Sequence, residues 1–172
     1  MDFKIVTSSA DLNQALYQVT HGLYILASKN SDRINAQCLD ALMQVTNMPP
    51  RIAIGVGKRS LTHDMIAESG LFVVNVIDKN DPNWMETIKH YGFQSGHKVE
   101  KFTADISYEL SENSIPILPN SKAFYECRVE NDITLDLGTH NLFVGTVERA
   151  GTHDSGEPLT YNYYRELRKK KE

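Results

Sequence analysis

Cysteine is almost missing: the 172 residues include only Cys38 and Cys127. Two such residues without paired spacing frame neither a zinc nor an iron–sulfur site, and they are too few for a disulfide scaffold. Both are expected as reduced thiols in strands; a disulfide between them is the alternative, unusual in a reducing compartment. No apolar run approaches the roughly 18 residues of a membrane span. The opening Met1-Asp2-Phe3-Lys4 begins no signal peptide, so a cytoplasmic protein without membrane contact is expected. A strong charge of either sign is also lacking. The net charge is −4, and the one basic run, Arg168-Lys169-Lys170-Lys171, reads as a solvated tail, which argues against nucleic acid as the partner. The chain has no repeat, no low-complexity stretch and no Gly-x-Gly-x-x-Gly fingerprint of a dinucleotide fold. It also has no His-x-x-x-His, carboxylate pair or Ser-His-Asp set in a supporting context, so neither metal catalysis nor hydrolysis has a case.

What is present suits a globular protein, 41% hydrophobic and 23% charged, and is read as one domain over residues 1–172. Ser8 and Ser9 are natural N-caps for a helix over 9–19, whose Leu12, Ala15, Leu16 and Val19 form a stripe that should pack on something. Residues 22–28 are apolar on both faces, as in a covered strand. A turn at 29–32 leads into Arg33-Ile34-Asn35-Ala36-Gln37-Cys38. Residues 39–48 suit a helix on propensity, but an irregular strand continuing from 34 to 46 is the favoured reading, ended by Pro49-Pro50.

In 51–57 a strand puts Ile52, Ile54 and Val56 on one face and Ala53, Gly55 and Gly57 on the other. Glycines weaken a strand, so close approach of a ligand or another backbone is expected there. Lys58, Arg59, Ser60 and Thr62 follow, then His63 and a helix over 61–69 closed by Gly70. Two cations and two hydroxyls ahead of free helix amides suit an anion. Hydrogen bonds to a phosphate, each worth about 1.5–3 kcal/mol, would together hold a monophosphate. The plainer reading has Ser60 or Thr62 capping the helix and the cations solvated.

A strand follows at 71–77, interrupted by the polar Asn75, then a short helix near 82–92 and a long glycine-containing loop, 93–102, of the kind that covers a site. Strands at 122–130 and 138–147 close the fold. Tyr161, Tyr163 and Tyr164 need a surface, either the body of the chain or a second subunit. Many strands with scattered short helices predict a mainly β fold, a closed antiparallel sheet rather than a doubly wound one.

The chain resembles the flavin reductase-like, FMN-binding split-barrel family, which includes NAD(P)H:flavin oxidoreductases, flavoredoxins and the flavin domain of high-molecular-weight rubredoxins. The resemblance rests on Ala15–Tyr24, Ile34-Asn35-Ala36-Gln37, Gln44-Val45-Thr46 with Pro49-Pro50, and Leu61-Thr62-His63 with Glu68-Ser69-Gly70. It continues through Gly92-Phe93, Ser95-Gly96 and Lys101-Phe102, then Gly138-Thr139-His140 with Leu142–Gly145, and Pro158-Leu159-Thr160-Tyr161. It implies an antiparallel split β-barrel with a few short helices, holding FMN and using NADH or NADPH as hydride donor. It further implies a homodimer, with free flavin, a separate redox protein or oxygen as electron acceptor.

Carried over by motif, Asn35, Ala36, Gln37 and Cys38 would run along the isoalloxazine edge. Ser60 and Thr62, with Lys58 or Arg59, would hold the phosphate, with His63 beside them. Lys98, or else His97, would approach the ring, where positive charge favours the reduced anion; His140 matches a family histidine beside the ring, and Tyr163 or Tyr164 would cover it. Leu39-Asp40-Ala41 departs from relatives that carry an aromatic residue there. An electron carrier with little nicotinamide turnover and a non-redox binding module are the rival readings.

Overall fold

Apolar residues on both faces of a strand require cover on both sides, and that requirement organises the chain. The computed structural model describes residues 2–169, so Lys170 and Lys171 of the basic run lie outside the described residues. Four helices, α1 (Ser9–Leu16), α2 (Leu61–Ser69), α3 (Trp84–Gly92) and α4 (Tyr161–Lys169), surround the strands. The strands are β1 (Tyr24–Lys29), β2 (Ile34–Leu39), β3 (Leu42–Asn47), β4 (Pro50–Gly57), β5 (Leu71–Ile77), β6 (Glu109–Leu110), β7 (Pro116–Ile117), β8 (Ser121–Val129), β9 (Leu135–Asp136) and β10 (His140–Thr152).

The main sheet runs β2-β1-β5-β8-β10-β4-β3, with β9 joined to β10, and every ladder is antiparallel. β1 and β5 sit inside this path and are covered on both sides. Ile25, Ala27, Val73 and Ile77 pack with Ile88 and Tyr91 of α3, Leu159 and Tyr164. Leu26, Phe72 and Val74 point the other way, into a second cluster with Ile52, Ile54, Val56, Cys127 and Phe143.

The expected helix at 61–69 and strand at 71–77 form with those bounds; Ser60 Oγ accepts from His63 N (3.2 Å), and Gly70 closes the helix at φ 67°. The ambiguous stretch is strand, broken at Asp40-Ala41 into β2 and β3. Both cysteines are free thiols in strands. The aromatic tail covers its own chain: Tyr164 is buried beside Trp84 and Tyr161, and Arg165 lies 4.0 Å from the rings of both Tyr17 and Tyr161. The first helix is shorter than expected, and Leu12, Leu16 and Val19 are exposed.

Two buried polar residues fasten loops to the sheet. Asn75 donates to Ile25 O and Pro116 O and accepts from Leu118 N (2.9 Å), holding β7 against β5. Glu126 lies in β8 between Tyr125 and Cys127, on the same face as Phe124 and the exposed Arg128, and it is fully buried. Its Oε1 accepts from Ser111 Oγ (2.5 Å), Asn113 N (3.1 Å) and Asn113 Nδ2 (2.9 Å), which draws residues 111–113 over the strand. Burial pushes this carboxyl up, but the three hydrogen bonds and Arg149 outweigh it and hold the group below the ordinary glutamate range. A depressed carboxyl contributes stability above its unfolded pKa and loses it as pH falls through the folded value. Glu126→Gln is therefore expected to destabilise the protein by about 2 kcal/mol at pH 7 and by less at pH 3. Urea melts at both pH values check this; a loss that is equal at the two would contradict it.

Candidate functional site

Residues 35–38, 57–61, 91–96 and 138–140 line one cavity of about 650 Å³. They come from β2, from the β4–α2 turn, from the end of α3 with the following loop, and from the turn into β10. β2 ends the sheet path, so the backbone N–H and C=O groups of its outer edge have no strand partner. That edge forms one wall, carrying Asn35, Ala36, Gln37 and Cys38. Burial, then the charge of Asp40, pushes the Cys38 thiol up to about 12, so the wall presents a neutral S–H at pH 7.

The opposite wall is the expected cationic turn. Ser60 N donates to Gly57 O (3.1 Å) and Ser60 Oγ caps α2. The first-turn amides of Leu61 and Thr62 have no acceptor within the helix. Lys58 is already engaged: its Nζ lies 2.5 Å from Asp136 Oδ1, which also accepts from Gly138 N (2.7 Å). These two bonds hold the Asp136 carboxyl below the usual range and tie the turn to 136–139. Arg59, exposed on the rim, has no side-chain partner among the described residues. The His140 ring stands beside Gly57, 3.5 Å from where a Cβ would be, and its Nδ1 is 2.9 Å from Thr139 Oγ. At Gly55 a Cβ would instead come within 3.3 Å of Ala41 Cβ, so that part of the bare face meets a side chain of the same chain.

Residues 92–96 form the third wall; the loop over 93–102, expected to cover a site, supplies residues 93–96 of it. Gly92 lies against Cys38 (3.1 Å from a built Cβ to Cys38 Cβ) and Gly96 rests on the Asn35 carboxamide, where a Cβ would come within 2.6 Å. Arg33 Nη2 donates to Gly96 O (2.5 Å) and holds this segment down.

Asn35, Ala36, Gln37, Cys38, Lys58, Ser60 and His140 thus meet in one cavity, with Arg59. Thr62 does not line it: fully buried, it accepts from Asn35 Nδ2 (2.8 Å). His63 turns to Phe143 (ring centroids 5.5 Å) and Asp64, Lys98 and His97 lie in the turn beyond Gly96, and Tyr164 is in the apolar cluster. Among the described residues, no carboxylate lines this cavity. A second cavity, about 620 Å³, shares Tyr91 and Gln94 with it but is bordered by Asp78, Asp81, Glu86 and Asp105.

A family model described as flavin reductase like domain matches residues 16–169. The chain belongs to the flavin reductase-like domain family. Two relatives and one structure are informative. A high molecular weight rubredoxin of Moorella thermoacetica is 39% identical over 91% of this chain, which spans 66% of that relative. A ferric-chelate reductase (NAD(P)H) of Archaeoglobus fulgidus is 33% identical over 92% of this chain and 91% of its own. The NADH:FAD oxidoreductase of Streptomyces globisporus C-1027 superposes with a TM-score of 0.81, covering 92% of each chain at 19% identity. The split-barrel fold of flavin reductases is therefore the fold of this chain. Among the described residues, no helix is long and apolar enough to cross a membrane.

Because Asn35 is buried and tied to Thr62, it cannot swing away from a methyl group at position 96. Gly96→Ala should cost about 1–2 kcal/mol and speed amide exchange over 93–98 while leaving β5 and β8 protected. Unchanged exchange there would mean that the loop does not rest on Asn35.

Proposed function

We propose that this flavin reductase-like protein is an FMN-containing NAD(P)H-dependent oxidoreductase that passes electrons to free flavin, a separate redox protein or oxygen. The observation that carries the reading is the wall at 59–61, where a guanidinium with no side-chain partner, a hydroxyl and the start of α2 border a cavity with no carboxylate among the described residues. The donor set fits FMN. Arg59, Ser60 and the amides of Leu61 and Thr62 would hold the phosphate, and the outer edge of β2 at 35–38 would meet the polar rim of the ring.

When bound, FMN supplies the electron transfer, so the protein needs no acid or base of its own. The chain's work is placement. Lys58, occupied by Asp136, fixes the turn and leaves the phosphate to Arg59. Thr62 acts through Asn35 rather than by direct contact. Thr139 orients the His140 ring against the cavity, and the Cys38 thiol borders the ring as a neutral group. The names of two relatives, an NAD(P)H ferric-chelate reductase and an NADH:FAD oxidoreductase, support a nicotinamide donor. The exposed stripe of Leu12, Leu16 and Val19 supports a homodimer, with a second copy as its cover. A high molecular weight rubredoxin among the relatives favours a second reading, an electron carrier that takes electrons from another protein.

Absorbance of the purified protein with FMN, before and after anaerobic NADH and then NADPH, separates these readings. A flavin spectrum that bleaches within seconds supports the reductase and names the donor. A spectrum that persists favours the carrier, and failure to bind FMN overturns both. Arg59→Ala should weaken FMN binding at least about tenfold, more so at low salt, with riboflavin binding little changed; equal loss for both flavins would remove Arg59 from the phosphate.

A further inference from the structure

The Lys101-Phe102 pair has no place in the flavin reading so far, yet Lys101 is the most unusual charged residue of the fold. It is 1% exposed, and no carboxylate lies within ion-pair distance of it among the described residues. Its ammonium instead donates to two backbone carbonyls, His90 O (2.5 Å) and Gln94 O (2.8 Å). In return, His90 Nε2 lies 2.8 Å from Lys101 O. A carbonyl has no proton to give, so Nε2 is the donor in that bond. Residues 90 and 101 are therefore clasped in both directions, and the loop between them is closed into a ring.

α3 ends at Gly92, and the carbonyls of its last turn lack partners in the helix. A cation placed there is favoured by the helix dipole and satisfies one of those carbonyls. The next residue, Phe102, packs on Tyr91 (5.8 Å) and Tyr108 (4.9 Å), which fixes the return of the chain in the core. A buried ammonium that loses its acceptors is costly, so His90 O and Gln94 O cannot drift from it. Gln94 O belongs to the segment that runs along the cavity as its third wall, residues 91–96, and His90 O immediately precedes it, so the two bonds grip the start and the middle of that wall.

On this basis, and resting on the flavin reading above, we propose that Lys101 is a positioning residue for the cofactor: without touching the flavin, it holds residues 91–96 in the place that gives the cavity its width. Arg33 fastens the same segment from its far end at Gly96 O, so the wall is pinned at both ends. A wall displaced by a fraction of an ångström changes both affinity and the environment of the ring.

Lys101→Met keeps the length and apolar stem while removing the donors. It is expected to weaken FMN binding about tenfold and to shift the midpoint potential of the bound flavin, with Lys101→Arg restoring part of both. Fluorescence titration with FMN and a potentiometric titration measure these effects, beside a thermal melt of the apoprotein. Affinity and potential equal to wild type would overturn the proposal, as would a lowered melting temperature accompanied by unchanged affinity of the folded fraction. If Lys101→Met does not fold, amide exchange of the unaltered protein decides: FMN must slow exchange over 92–97, and no change there overturns the role. Failure of the unaltered protein to bind FMN at all would instead be the failure of the flavin reading.

Discussion

Two-sided burial of β1 and β5 is the constraint on which the rest depends. Neither strand can have a wet face, so the helices and loops must supply cover outside while the sheet curls to supply it inside. The curl brings the two ends of the sheet path toward each other. β2 stands at one end and β4 next to the other, yet residues 35–38 and 57–61 line one cavity. No ladder joins β2 to β3 among the described residues, although they are consecutive in the chain. The cavity thus stands where one end strand of the curled sheet faces the far side, and residues 35–38 of that end strand line it.

The parts legible in the sequence were those where local chemistry and tertiary environment agree. Apolar runs at 22–28 and 71–77, the Ser60 cap and the Gly70 stop all kept their local meaning. The missed parts have a common cause. Alternation along β8 assumed one solvated face, but residues 111–113 fold over that face and bury Glu126, a contact made between residues about fifteen apart and invisible in either segment alone. Thr62 and Ser60 look equivalent as hydroxyls two residues apart; the helix turns one to the cavity and the other into Asn35. The stripe on α1 reads as a packing face, yet Leu12, Leu16 and Val19 stay exposed among the described residues.

Charge shows the same limit. Sequence gives the number of cations near a site but not which of them are already engaged. Around this cavity Arg33 is held by Gly96 O, Lys58 by Asp136 and Lys101 by two carbonyls. Of the cations that line it, Arg59 has no side-chain partner among the described residues, so in the proposed reading an anion would be held by one guanidinium and the helix end beside it rather than by the whole turn.

The two cavities sharpen this point. They share Tyr91 and Gln94 and have similar volumes, about 650 and 620 Å³, so size does not distinguish them for a mononucleotide. Their signs do. One holds Lys58, Arg59 and helix amides with no carboxylate, whereas the other is bordered by four acidic residues, with Lys89 as its lysine. Unit charges about 4 Å apart near a protein surface interact by about 4 kcal/mol at an effective dielectric of 20, enough to decide between sites of equal shape. In the proposed reading a ligand carrying a phosphate would be repelled by the acidic rim and drawn to Arg59. The segment between the cavities, to which Lys101 donates at Gln94 O, would then separate a space suited to an anion from one that rejects it.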